Sequence, residues 1–179
     1  MSRLKGILLA VVLVCQLGAL LGEYLNSVYP RWSGKEVKLK IEPVDPRSLF
    51  RGQYARLNYD IGSIPARKLV VAGAGKIEEL RLGEIVYVSL EKSGDLHHVK
   101  SIQLDKPDSG VFIRGRLEHE HTISQDTDIQ VKYGIEAFFA SPKKAIEVER
   151  QARSRDSIVT ARVMIAPNGK ASLLDVVSR

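Results

Sequence analysis

Two hydrophobic rhythms divide the chain. Residues 6–22, Gly-Ile-Leu-Leu-Ala-Val-Val-Leu-Val-Cys-Gln-Leu-Gly-Ala-Leu-Leu-Gly, carry no charge and a single polar side chain, Gln16. At ~1.5 Å per residue that run makes a helix of about 25 Å, a little short of a hydrocarbon core of ~30 Å. Apolar character continues through Tyr24, Leu25 and Val28, and Tyr24, Tyr29 and Trp32 are amphipathic aromatics suited to a membrane interface. The pattern predicts a membrane-spanning helix. Arg3 and Lys5 also fit the start of a secretory leader, but cleavage wants small residues at the third and first positions before the cut. A cut after Gly22 puts Leu20 at the third position, and one after Ala19 puts Leu17 there. A lipoprotein reading at Cys15 meets bulky Val14. The expectation is an uncleaved anchor with its N-terminus held in the cytoplasm by Arg3 and Lys5, softened by Arg31 and Lys35 on the far side.

Beyond the anchor the rhythm changes to a period of two. Val37, Leu39 and Ile41 alternate with Glu36, Lys38, Lys40 and Glu42, which predicts a strand with one buried face. Comparable runs at 83–91, 111–118 and 128–133 predict further strands. Segments 157–165 and 171–177 flank Pro167-Asn168-Gly169, where Asn-Gly offers the positive φ angles of a hairpin turn. One helix is predicted from Ser141, a capping residue, and Pro142, with Ala145, Val148 and Ala152 on one side. Gly52 to Tyr59 and Gly83 to Leu90 each begin with glycine and a polar residue, a faint repeat at a spacing of 31 residues.

The fold class expected is mostly β with one helical insertion: an antiparallel β sandwich or open barrel behind a single N-terminal transmembrane helix. Residues 1–28 would form the cytoplasmic tip and anchor, 29–35 a short linker, and 36–179 the β-rich extracytoplasmic domain.

Composition narrows the functional classes. With 44% hydrophobic and 27% charged residues the chain lies in the ordinary folded range. Its net charge of +6 falls to +4 once Arg3 and Lys5 are set aside (25 minus 21), and the cations are interleaved with acids. That modest excess suits weak attraction to anionic lipid rather than nucleic-acid binding. Cys15, the single cysteine, lies in the apolar run, so packing must stabilise the β body without an internal disulfide.

The stretch Pro43-Val-Asp-Pro-Arg-Ser-Leu-Phe-Arg-Gly-Gln-Tyr-Ala-Arg-Leu-Asn-Tyr59 follows the anchor. Further on come the glycine-led strand at Gly83, then Tyr133-Gly134-Ile135-Glu136-Ala137-Phe138-Phe139, then the terminal hairpin. This layout resembles the bacterial GDYXXLXY protein family over nearly the whole chain. Gly52, Tyr54, Leu57 and Tyr59 match the name-giving pattern, and Gln53 stands where the family has an acid. The resemblance implies a bacterial inner-membrane protein, single-pass, with its C-terminal domain facing the periplasm or cell exterior; it implies no chemistry. Read physically, Asp45 before Pro46 can close a turn, Arg47 and Arg51 can pair with it, and Gly52 permits a tight approach to the next strand. Leu57, Tyr59 and Ile61 should share a face, with Tyr54 on the other, at the core edge or lining a surface groove.

Catalytic, metal and anion-binding chemistries find weaker support in these residues than the structural reading does. A hydrolase loosely similar to signal peptidase would use Ser48 as nucleophile and Lys100 as base, but the serine is displaced from that family's spacing and Val44 stands near its place. His97, His98, His119 and His121 do not compose a metal-ligand pattern, and no cofactor is expected. Lys143 and Lys144, in the first turn of the expected helix with Ser141, could receive an anion such as a lipid phosphate, although surface lysines are commoner. The resulting expectation is a non-enzymatic binding or assembly domain, with the bilayer and other membrane proteins as partners and any small ligand unspecified. The Ser48/Lys100 hydrolase is the alternative.

Overall fold

The computed structural model describes residues 2–42, 54–70, 79–118, 121–122, 128–139 and 159–178. Helix α1 spans Ser2–Ser33. Its stretch from Leu4 is long and apolar enough to cross a membrane, and its leucines and valines are exposed because no protein surface covers them. Helix continues through 29–33, where the sequence pattern had suggested a linker, and only Gly34 separates it from the first strand. Pro30 lies inside the last turns, yet the helix persists, because docking against the β body supplies what the missing amide removes.

Strands follow in the order β1 (Lys35–Glu42), β2 (Tyr54–Arg56), β3 (Asn58–Tyr59), β4 (Ser63–Pro65), β5 (Glu79–Leu80), β6 (Ile85–Ser93) and β7 (Leu96–Gln103). The remainder are β8 (Val111–Leu117), β9 (His121–Thr122), β10 (Asp128–Lys132), β11 (Ala137–Phe139), β12 (Val159–Ile165) and β13 (Ala171–Ser178). One sheet has the order β13-β12-β1-β3 and the other β4-β10-β8-β6-β7, with small pairs β11-β2 and β5-β9. All pairings between these strands are antiparallel, and one of the two main sheets curls nearly closed, like a barrel.

Two crossings hold the sheets together. A single 3-10 turn, Asp60–Gly62, carries the chain from β3 in one sheet to β4 in the other. Elsewhere β1 packs on β7, where the Lys38 amide donates to His97 Nδ1 at 3.3 Å. The alternating side chains Val37, Leu39, Val86, Val88 and Val163 meet between the sheets and are almost wholly buried. Burial on this scale, at ~25 cal/mol per Å² of apolar surface, is the driving term for a body without disulfides.

The β12–β13 hairpin forms as the sequence predicts, with a different turn. Among its described residues only Gly169 has positive φ, 81°, while Asn168 does not. Gly169 N–H donates to Ala166 O at 2.8 Å, Ala166 N–H to Lys170 O at 2.9 Å, and Lys170 N–H to Asn168 Oδ1 at 3.0 Å. Pro167 favours negative φ at the first turn position, so the left-handed residue falls one place later. The turn then lies flat on β8: a Cβ on Gly169 would stand 2.9 Å from Phe112 Cε2, and Arg114 N–H donates to Gly169 O at 2.8 Å.

The faint repeat does not produce equivalent elements. Tyr54 to Tyr59 breaks into β2 and β3, which pair with different strands, whereas Ile85 to Ser93 is one continuous strand. The helix expected from Ser141 lies outside the described residues.

Candidate functional site

The described end of the 43–59 motif is tied to the segment 133–136 by two tyrosines. Tyr59 donates its hydroxyl to Ile135 O at 2.7 Å, and Tyr133 donates its own to Ile61 O at 2.5 Å. Between them Leu57 N–H donates to Glu136 O at 2.7 Å. Both rings are buried, and burial, with the Glu136 charge second, pushes both phenols well above their ordinary range. Each hydroxyl therefore stays a donor throughout the physiological range.

Local sequence explains why 133–136 presents its backbone this way. Gly134 takes φ of 79°, a conformation costly for other residues. Glu136 folds back so that its carboxylate accepts Tyr133 N–H at 2.6 Å and Gly134 N–H at 2.9 Å. Past this turn the Ile135 and Glu136 carbonyls face the motif segment and accept Tyr59 O–H and Leu57 N–H. Leu57, Tyr59 and Ile61 are all buried, as their spacing predicts, although a 3-10 turn rather than a continuous strand delivers Ile61.

Asp60, between Tyr59 and Ile61, gives this knot a polar outlet. Its Oδ2 lies 3.4 Å from His98 Nδ1 on β7, while Oδ1 is buried with no hydrogen-bond partner among the described residues. Burial raises the Asp60 pKa, and the nearby imidazole opposes that shift in part. Adjacent His97 faces the Lys38 amide instead, and burial lowers its pKa. Among the described residues no group of three or more potential metal ligands is present.

Of the residues singled out by sequence, Asp45, Pro46, Arg47, Ser48, Arg51, Gly52 and Gln53 lie outside the described residues, as do His119, Ser141, Lys143 and Lys144. Tyr54 sits in β2, its backbone paired with Phe139. Lys100 is exposed on β7, and a lysine base is ordinarily activated by removal from water. Asp60, His98 and Tyr133 were not foreseen as partners of the motif, because each contact joins residues far apart in sequence.

A second feature lies where α1 meets the hairpin. In a helix Asn26 O would accept the amide of residue 30, and Pro30 has none. Lys170 Nζ takes that place, donating to Asn26 O at 2.9 Å, and Arg31 Nε donates to Ser172 Oγ at 3.2 Å. Pro30 itself is fully buried, and Gly34 N–H donates to Pro30 O at 3.0 Å. Helix α1 is thereby seated on the β body at defined points.

A family model described as GDYXXLXY protein matches residues 16–176. No curated protein and no solved structure matches the chain.

Proposed function

Because the chain belongs to the GDYXXLXY protein family, we propose that it is a membrane-anchored, non-enzymatic binding or assembly domain of the bacterial inner membrane. Its N-terminus lies in the cytoplasm and its β body faces the periplasm or cell exterior. The observation that carries this reading is the seating of α1: Asn26 and Arg31 contact the β12–β13 hairpin, Pro30 is buried, and Gly34 alone lies between helix and sheet. Such a joint fixes the height and orientation of the β body above a bilayer. A surface held at constant height meets other membrane proteins at a high effective concentration without new contacts of its own. Arg3 and Lys5, directly before the apolar run, support the orientation, with Arg31 and Lys35 on the far side softening the asymmetry.

Crosslinking in intact cells, followed by purification in mild detergent, tests the assembly role. Reproducible co-purification of a membrane partner is expected, and a chain recovered alone at every crosslinker length would overturn it. Protease treatment tests orientation separately: the β body should be cut once the outer face of the inner membrane is opened to protease, and cutting only in inverted vesicles would reverse the topology.

A further inference from the structure

Beside the hairpin turn runs a groove of about 460 Å³ between β8, the 133–136 segment and the start of β13. Arg114, Arg116, Lys132 and Lys170 line it, against a single acid, Glu136. That acid is already engaged, since both its oxygens accept backbone amides. Lys132 is paired with Glu118 and Arg116 Nη1 donates to Gly83 O at 2.9 Å, whereas Lys170 gives one of its three ammonium protons to Asn26 O and keeps two, so Lys170 and Arg114 are the cations best placed to meet a ligand. Ile85, partly exposed, adds an apolar wall.

The depth of the groove follows from Lys170. Its ammonium touches Asn26 O, and a ~30 Å core, about 20 residues of helix counted from Gly6, ends near Leu25, next to Asn26. The headgroup layer of one leaflet, about 5–7 Å thick, begins there. Lys170 thus stands at the inner edge of that layer, within reach of lipid phosphates, if α1 crosses a bilayer. Tyr24 and Tyr29, exposed on the same stretch of helix, are the residue type that settles at that level.

Resting on the anchored reading above, we propose that this groove receives the phosphate of an anionic phospholipid from the leaflet into which α1 emerges. Arg114 and Lys170 supply the charge, and the bound lipid fixes the rotation of the β body about the helix. Cations near a membrane surface each strengthen binding to anionic lipid by roughly fivefold.

The test uses the full chain in nanodiscs of phosphatidylcholine with about one part in five phosphatidylglycerol, read by the lipid retained after mild detergent extraction and mass spectrometry. The unaltered chain should retain phosphatidylglycerol preferentially. Arg114→Gln with Lys170→Gln should lower that preference by roughly 25-fold, and Arg114→Gln alone, which leaves the Asn26 contact intact, by roughly fivefold. Lys92→Gln with Lys100→Gln, the same charge change on the β6–β7 hairpin, should leave it unaltered. Equal retention in all four proteins would overturn the proposal. So would millimolar inorganic phosphate displacing the lipid from the groove as effectively as phosphatidylglycerol vesicles do, since the site would then serve a soluble anion. Flotation of the full chain with lipid vesicles after alkaline carbonate extraction separates this failure from failure of the anchor, and release into the soluble fraction would overturn the anchored reading and the lipid site with it.

Discussion

Removing the hydroxyl of Tyr59 tests whether the motif is held by the paired tyrosines. Tyr59→Phe keeps the ring and deletes one donor, leaving Ile135 O in a buried setting that water does not reach. An orphaned buried acceptor costs about 1–3 kcal/mol, so a loss of about 2 kcal/mol is expected. At 2–4 °C per kcal/mol for a protein of this size, Tm should fall by roughly 4–8 °C. Tyr133→Phe should cost a similar amount, because its acceptor, Ile61 O, belongs to a fully buried residue. The two bonds join the same pair of segments, so the double variant should lose less than the sum, with coupling of about 0.5 kcal/mol or more. Urea unfolding of the full chain in non-ionic detergent, followed by circular dichroism in the β band, measures all three. Burial raises both phenol pKa values above 10, so the unfolded chain loses these protons first. The native stability they contribute is therefore complete below pH 10 and declines above it, and the Phe variants should decline less. A single variant within about 0.5 kcal/mol of the unaltered chain would refute the clamp.

Other perturbations test separate joints. His97 has a pKa held below 6.5 by burial, and its Nδ1 must be unprotonated to accept the Lys38 amide, with Lys92 and His98 as charged or titratable neighbours. Stability should fall as pH drops below 6.5 toward the folded-state value, and His97→Gln should flatten that part of a Tm-against-pH curve. Lys170→Met leaves Asn26 O without its ammonium, whereas Pro30→Ala restores a backbone amide to it. A double-mutant cycle on thermal unfolding should give coupling of roughly 0.5–1.5 kcal/mol, and zero coupling would separate the two sites. Gly34→Ala would drive a methyl into Pro30 O and to 3.0 Å from the Ile165 backbone, none of which can rotate away. Urea unfolding should register a loss of about 1–3 kcal/mol, and an unchanged midpoint would mean that the helix exit is looser than described.

Local pattern carried most of the architecture. The uncharged run produced α1, because a helix satisfies its own backbone and apolar side chains need no protein partner in lipid. Alternation at Val37, Leu39 and Ile41 produced β1 with that face buried, and Pro167-Asn168-Gly169 produced the hairpin, since these signals lie within a few residues of one another. Even there, the turn type was decided partly by packing, as Gly169 presses on Phe112 and Arg114 of β8. The candidate site was less legible. The sequence marked Leu57 and Tyr59 and the 133–139 segment separately, with nothing local to say that they touch.

What the sequence determined alone is which segments are helix or strand and which side of each must leave water, because periodicity is a property of neighbours along the chain. Which residues face one another was settled only in three dimensions. Tyr59 reaches Ile135 across 76 residues and Lys170 reaches Asn26 across 144. Asp60 meets His98 only because one 3-10 turn crosses between sheets. Strand order and register fix such meetings, and a one-residue slip in either sheet would turn these side chains to the opposite face.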